Sequence, residues 1–307
     1  MQNDIMLDAL NVSKAFGKKT ALSDFSLSIP KGTVYGLLGP NGAGKTTFIR
    51  IINQITMPDT GSVFLDGEKL NPTHIARIGY MPEERGLYKN MKVGEQAIYL
   101  AQLKGLSHAE AVQKLKYWFD KLDIGDWWNK KLSELSKGMG QKIQFIVTVL
   151  HEPDLLIFDE PFSGFDPINA NLIRDEILEL KEKGSTIIFS THRMESVEEM
   201  CDYVALINNS KKVLDGPIHE VRNRFKEGRY HVKMIVNQSD KLQELIDRFK
   251  VQDIKRQNGI VSFYVFTDDR HTNEMIQQLI QTGIVKEFTE EIPTMNQVFI
   301  NAVKDTL

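Results

Sequence analysis

The sequence predicts an α/β protein: a largely parallel sheet with helices, an antiparallel β-layer ahead of it, a helical insertion, and a small α+β domain after it. Three observations carry that prediction. The apolar run Val34-Tyr35-Gly36-Leu37-Leu38 leads into Gly39-Pro40-Asn41-Gly42-Ala43-Gly44-Lys45-Thr46-Thr47 and then into Phe48-Ile49-Arg50-Ile51-Ile52, so strand, tight loop and helix follow one another. Two more apolar runs, Leu155-Leu156-Ile157-Phe158 and Thr186-Ile187-Ile188-Phe189, flank a helical pattern over 169–183 that Gly184 ends. Strand, helix, strand at that spacing is a βαβ unit, hence a parallel sheet. Beyond about residue 222 the pattern restarts as βαββαβ plus a final helix.

In chain order, residues 5–34 alternate apolar and polar, as in Ala21-Leu22-Ser23-Asp24-Phe25-Ser26-Leu27-Ser28-Ile29, and turn at Pro30-Lys31-Gly32. Phe16 stands beside the Gly17 turn, where its neighbours alone leave it a core or surface aromatic. After the glycine-rich loop and its helix, Met57-Pro58-Asp59-Thr60-Gly61 is a turn. Short strands follow at 62–67 and 77–81, the second ending at Pro82-Glu83-Glu84. From 92 to 131 the texture is helical: Val93, Ala97, Leu100 and Ala101 share a face, as do Ala111, Leu115, Trp118 and Phe119. Trp127-Trp128 read as aromatics packing within that subdomain rather than as a stacking platform. Leu135-Ser136-Lys137-Gly138-Met139-Gly140-Gln141-Lys142 leads into a buried helix over 143–150, with Ser136 able to cap it, so the helical subdomain spans about 92–150. A hairpin at 204–216 and a polar helix and linker over 217–227 close the first domain.

The later pattern gives strands at 230–236, 251–256, 260–266 and 284–289, with helices at 241–249, 273–281 and 295–303. That order is ferredoxin-like. The domains are expected at 1–222 and 223–307. The second carries no catalytic constellation, and His231 and His271 read as isolated and solvated.

The totals exclude several classes of function. A net charge of −3 gives no general affinity for nucleic acid or anionic lipid. Cys201 is the one cysteine, so no intramolecular disulfide forms, and its setting suits a buried small hydrophobe. No apolar run approaches the ~20 residues that span a bilayer. Met1-Gln2-Asn3-Asp4 has neither the basic flank nor the apolar stretch of a signal peptide.

The glycine-rich loop has the full context of a phosphate-binding P-loop. Its glycines let the backbone turn tightly and bring N–H groups close to an anion, and the following helix adds its positive dipole end. Lys45 supplies a mobile cation for the outer phosphates and Thr46 a hydroxyl for Mg²⁺. A turn that binds nothing has no need of Lys and Thr at those places. Asp159-Glu160 and His192 also follow strand carboxyl ends, where ligands lie in such sheets, so all three loops can converge on one phosphate site.

Residues 5 to about 217 resemble the nucleotide-binding subunit of an ATP-binding cassette (ABC) transporter, with the family's elements in the family's order. Phe16 matches the aromatic that stacks on adenine, and Gly39 to Thr47 match Walker A. Leu155 to Asp159 match Walker B, Glu160 the catalytic glutamate, and His192 the switch histidine. Ser163-Gly164-Phe165-Asp166 matches the D-loop. Leu135-Ser136-Lys137-Gly138-Met139 matches the signature motif, with Lys137 and Met139 where Gly and Gln are usual. Glu83 stands where the Q-loop carries Gln, and its oxygen remains able to ligate Mg²⁺.

The resemblance implies a P-loop NTPase core that hydrolyses Mg-ATP, with Thr46, Asp159 and Glu83 as metal ligands and Glu160 and His192 in the chemistry. It implies an ATP-dependent head-to-tail homodimer in which Ser136, Lys137, Gly138 and Met139 of each copy close the other's site, with Asp166 beside them. It also implies a separate integral membrane permease and a peripheral place on the cytoplasmic face of the cell membrane. The run Pro82-Glu83-Glu84-Arg85-Gly86-Leu87-Tyr88 and the C-terminal domain are similar to bacterial subunits for sodium or antibiotic export. The permease is expected to contact 83–99, where Arg85, Leu87, Tyr88 and Met91 are interface-type side chains. The rival readings are a soluble ABC-type ATPase without a transporter and an ATP-dependent regulatory switch. Neither the second cassette of the translation type nor the long coiled coil of the repair type is present, and Glu160 with His192 argues against a switch without turnover.

Overall fold

The computed structural model describes residues 4–84, 86–268 and 270–304. Arg85 and the first three residues, on which two of the readings above rest in part, lie outside them. One compact unit runs to Ile218 and takes in the chain from Phe299; the other is His219–Val298.

The first unit opens with strands β1 (Ile5–Phe16) and β2 (Lys19–Pro30), paired antiparallel so that Phe16 faces Lys19 across the Gly17 turn. Strand β3 (Val34–Leu38) is buried at all five positions and feeds helix α1 (Lys45–Ile52) through the glycine-rich loop. β4 (Thr60–Leu65) and β5 (Glu68–Lys69) complete an antiparallel sheet in the order β2-β1-β4-β5. β6 (Ile78–Met81) returns to the main sheet. The helical insertion is α2 (Val93–Leu103) and α3 (His108–Lys121), with α4 (Lys137–Val149) after it. α3 begins in a capping box between Ser107 and Glu110 and buries Ala111, Leu115, Trp118 and Phe119. Trp128 packs edge-on to Phe119 at 5.3 Å and lies so close over Gly94 that a Cβ there would meet its ring at 2.7 Å. Trp128 is therefore an internal packing residue of the helical subdomain.

β7 (Leu155–Asp159), α5 (Pro167–Glu182), β8 (Thr186–Ser190), α6 (Met194–Met200), β9 (Tyr203–Asn208) and β10 (Lys211–Pro217) follow, and α7 (Ile218–Arg224) belongs to the second unit from His219 on. The main sheet runs β10-β9-β3-β8-β7-β6, parallel except at the β9–β10 hairpin. Every residue of β7 and β8 is buried, as expected of strands covered on both faces. The core beneath α1 joins Phe48, Ile49, Ile51 and Ile52 to Leu37, Ile157, Ile188 and Phe25. Cys201 is buried, and burial pushes its thiol well above the usual range, so it behaves as a small hydrophobe.

The second unit contains β11 (Arg229–Val236), α8 (Ser239–Arg248), β12 (Lys250–Gln257), β13 (Ile260–Phe266), α9 (Thr272–Thr282) and β14 (Gly283–Glu290), and α10 (Met295–Lys304) begins within it. Its sheet is antiparallel, in the ferredoxin-like order β12-β13-β11-β14. Leu242, Leu245, Met275 and Leu279 from the helices meet Val232, Met234, Phe263 and Val265 from one sheet face. The expectation for the histidines needs correcting. His231 Nδ1 lies 2.9 Å from Glu287 Oε1 and its ring sits 5.0 Å from Tyr264, while His271 Nδ1 lies 2.6 Å from Asp268. Strand register brings Glu287 beside His231, a pairing that chain order conceals.

Candidate active site

Four neighbouring strands, β3, β8, β7 and β6, are parallel, so their carboxyl ends share one edge of the sheet. The loops leaving that edge build a cleft of about 200 Å3. Phe16, Asn41, Gly42, Gly44, Lys45, Thr46, Thr47, Glu83, Asp159 and Glu160 all line it, drawn from sequence positions more than a hundred residues apart.

The loop after β3 needs its glycines. Gly44 has φ +123°, and a Cβ there would sit 2.4 Å from the Ala21 carbonyl oxygen. Gly39 has φ +148°, and a Cβ would meet Ile207 O at 2.2 Å. Both are left-handed positions against backbone, so the loop closes on the sheet only with glycine there. α1 then starts at Lys45 with no side-chain cap and no acidic residue in its first turn. Its first N–H groups and positive dipole end face the cleft without internal competition from an anion. Lys45 Nζ donates to Gly39 O at 2.6 Å and to Pro40 O at 3.2 Å, which holds the ammonium over its own loop. Burial lowers its pKa, while Asp159, Glu160 and Glu83 pull the other way.

Asp159 ends β7 and is only 4% exposed. Burial raises its pKa, and the charges of Glu83 and Glu160 push in the same direction. A cation brought close to it would be favoured for the same reason. Glu160 follows with φ +51°, an uncommon backbone state for a residue with a side chain. Its N–H donates to Ser190 O at 2.8 Å. Its carboxylate accepts the His192 N–H at 2.8 Å and the Thr191 hydroxyl at 3.2 Å. His192 Nδ1 lies 2.7 Å from the same Oε1, a hydrogen bond that puts the imidazole proton on Nδ1. Strained backbone at a fully determined carboxylate is the kind of cost, about 1–3 kcal/mol, that persists at functional sites.

Glu83 is exposed at the cleft wall. Its segment is tied down by Gln144 Nε2, which donates to Pro82 O at 2.9 Å and so links it to α4. Phe16 is 52% exposed, with Lys14 Nζ 5.5 Å above its ring. Gly39, Pro40 and Ala43 belong to the same loop but are not on the lining.

The signature residues are not on this lining. Ser136 caps α4, its hydroxyl accepting the Met139 N–H at 3.3 Å. The Lys137 stem lies against Gly164, where a Cβ would meet it at 2.7 Å, and Gly138 faces Gly164 O. Asp166 caps α5, accepting the Asn169 N–H at 3.0 Å, and those bonds hold its pKa below the usual carboxylate range.

Sequence reasoning missed Lys19, Ala21 and Ser190, which also line the cleft, and Thr191 and Gln144, which position others. Lys19 carried a signal in standing directly across the turn from Phe16; the others carried none outside the fold.

Known proteins similar to this chain give its family. Residues 22–163 match the family model "ABC transporter", and residues 216–303 match "ATP-binding protein DrrA1-3-like, C-terminal domain". An ABC transporter ATP-binding protein of Bacillus subtilis, YhaQ, is 41% identical over 298 residues, which is 97% of this chain and 98% of that protein. The chain belongs to the ABC transporter ATP-binding protein family. The linearmycin resistance ATP-binding protein LnrL of the same organism is 35% identical over 223 residues, 72% of each chain. The solved structure of an ATP-binding subunit of an ABC transporter superposes with a TM-score of 0.68 at 30% identity, covering 72% of this chain and 93% of that one. This ABC protein is therefore an ATP-binding subunit whose ATPase activity is coupled to transport. No helix among the described residues is long and apolar enough to cross a membrane.

Proposed function

We propose that this chain is the ATP-hydrolysing subunit of a membrane exporter. It works as a head-to-tail homodimer on the cytoplasmic face of the membrane, beside a permease on another polypeptide. The observation that carries the reading is convergence: Lys45, Asp159, Glu160 and His192, from three separate loops, meet at one edge of the parallel sheet. The Lys45 ammonium and the loop amides hold the β- and γ-phosphates, with Phe16 against the base. Thr46, Asp159 and Glu83 offer hard oxygen donors that fit Mg²⁺. That ion, when bound, offsets phosphate charge. Glu160 polarises the attacking water, and its double contact with His192 fixes both side chains relative to the γ-phosphate.

Ser136, Lys137, Gly138 and Met139 belong to the second copy's site. α4 begins outside the cleft of its own chain, and its capped, acid-free start suits an anion delivered from elsewhere. Gly164 lies beside it, and Asp166, two residues on at the cap of α5, would share that interface. Export is supported by the linearmycin resistance relative and by the DrrA1-3-like domain. The domain division at 1–222 and 223–307, with the second domain accessory, is part of the reading, as is the absence of a nucleic-acid partner.

The permease contact is assigned to the segment after Glu83. Tyr88 is 57% exposed, and Leu87 and Met91 are half-buried. Leu87→Ala with Tyr88→Ala is expected to leave ATPase near the parent level and weaken co-purification with a membrane subunit. Intact membrane assembly with lost ATPase would reject the assignment. For the site itself, Lys45→Ala is expected to weaken Mg-ATP binding by at least about a hundredfold by calorimetry. Binding within a few-fold of the parent would overturn the phosphate reading.

A further inference from the structure

We infer that Lys19 is a second phosphate-facing cation of the nucleotide cleft, acting from the β-layer opposite Lys45; the inference rests on the ATP-site reading above. Its placement is fixed by the fold. Phe16 pairs with Lys19 at the end of the β1–β2 hairpin, and Gly17 at φ +59° makes the turn between them. The two side chains therefore reach the cleft together, an aromatic and a cation on one hairpin tip. The Lys19 ammonium overhangs the phosphate loop: a Cβ on Gly42 would sit 4.0 Å from Nζ.

Among the described residues no carboxylate pairs with Lys19, although Lys14 on the same hairpin is held by Asp59 at 2.7 Å. Lysines elsewhere in this unit, such as Lys121 and Lys181, are engaged by Glu176 and Asp202. Beside Mg²⁺ and the α1 dipole, a further cation at the cleft adds to the positive charge that meets a triphosphate. The cleft holds three carboxylates, Glu83, Asp159 and Glu160, and its buried ammonium Lys45 already shares protons with two loop carbonyls. A triphosphate adds negative charge to that surplus. An ammonium beside Gly42 on the cleft lining is placed to interact through space with a phosphate held by the loop. Because Lys19 is exposed, that interaction is screened by salt, unlike the buried contact of Lys45.

The test is equilibrium binding of Mg-ATP to the full chain, measured at low and high salt. Lys19→Met keeps the stem and removes the charge. It is expected to weaken binding about fivefold at low salt and to flatten the salt dependence. Lys19→Arg is expected to stay within about twofold of the parent. Lys18→Met, one residue away and off the cleft lining, is expected to bind like the parent. Parent-like affinity of Lys19→Met, or a loss that is equal at both salt concentrations, overturns the inference. The second result would mean that Lys19 acts by shaping the Phe16 turn. Lys45→Ala separates the two levels. If it abolishes binding while Lys19→Met does not change it, only the role of Lys19 fails. If Lys45→Ala binds normally, the site reading itself fails.

Discussion

The two units of this chain are both sheets with helices on them, yet they bring their loops together differently. In the first, four adjacent strands run parallel, and the loops after β3, β6, β7 and β8 all leave from one edge. In the second, neighbours run antiparallel, so successive strand ends alternate between opposite edges. Its charged side chains pair locally across the sheet instead: Glu287 holds His231 and Lys233, and Arg229 stacks 3.7 Å over Tyr264. Topology, rather than composition, decides where a site can form. The buried carboxylate and lysine of the first unit are tolerated because they face each other's charge across a cleft.

The largest test of that contrast is Glu160→Gln. The amide keeps the shape of the side chain but cannot polarise water in the same way. Turnover is expected to fall by about 10²–10⁴-fold while ATP binding stays near the parent level. Near-normal hydrolysis would move the base to another residue, and the convergence at the sheet edge would lose its chemical meaning.

The reciprocal test lies in the second unit. Phe263 is 1% exposed in the core beneath α8 and α9. Phe263→Ala is expected to cost that unit about 3–5 kcal/mol, read as an early melting transition. Mg-ATP affinity should not change. Loss of ATP binding with that transition would show that the two units do not divide the work as their topologies suggest.

A smaller effect concerns the junction of α2 with β6 in the first unit. Lys104 Nζ donates to Ile75 O at 2.7 Å and Ile78 O at 2.9 Å, and His151 Nε2 lies 3.3 Å from the same Ile78 oxygen. Burial, helped by the Lys104 charge, lowers the His151 pKa from 6.5 to about 4. In the unfolded chain the ring takes up a proton near pH 6.5; in the folded chain it stays neutral down to about pH 4. The unfolded state therefore binds more protons in that window, and stability falls as pH drops through it, by at most about 3 kcal/mol. Denaturant titrations at pH 7 and pH 4.5 should show the loss, and His151→Gln should remove most of it. A parallel loss in the variant would assign the pH dependence to other groups.

Much of this was legible in the residues. β3, β7 and β8 were visible because strands buried on both faces must be continuously apolar, and the glycines of the phosphate loop because nothing else fits against Ala21 O and Ile207 O. The second unit's strand order followed from its alternation. What could not be read were contacts made by register or by the end of a long side chain. Glu287 beside His231, Gln144 on Pro82 and Lys19 over Gly42 depend on three-dimensional neighbours 56, 62 and about two dozen residues away in sequence. Helix α6 was also missed, because at seven residues it is too short to show a period.

The smallest expected effect is at Glu83, and its sign sharpens the contrast between the cleft's charges. Glu83 is exposed and lines the cleft without a hydrogen bond to Asp159 or Glu160, so its influence there is through space. It raises the Asp159 pKa and opposes the lowering at Lys45, both as a simple negative charge would. Glu83→Gln keeps an oxygen that can ligate Mg²⁺ and removes that charge. ATP should then bind slightly more tightly, by about twofold, the opposite direction from Lys19→Met. Turnover should stay within about threefold of the parent. Both changes should shrink at high salt, since an exposed charge is screened. A fall in turnover as deep as that of Glu160→Gln would mean that Glu83 takes part in the chemistry. In that case the wall formed by β6 would be catalytic, and the chemistry would draw on the ends of β3, β8, β7 and β6 rather than on the first three alone.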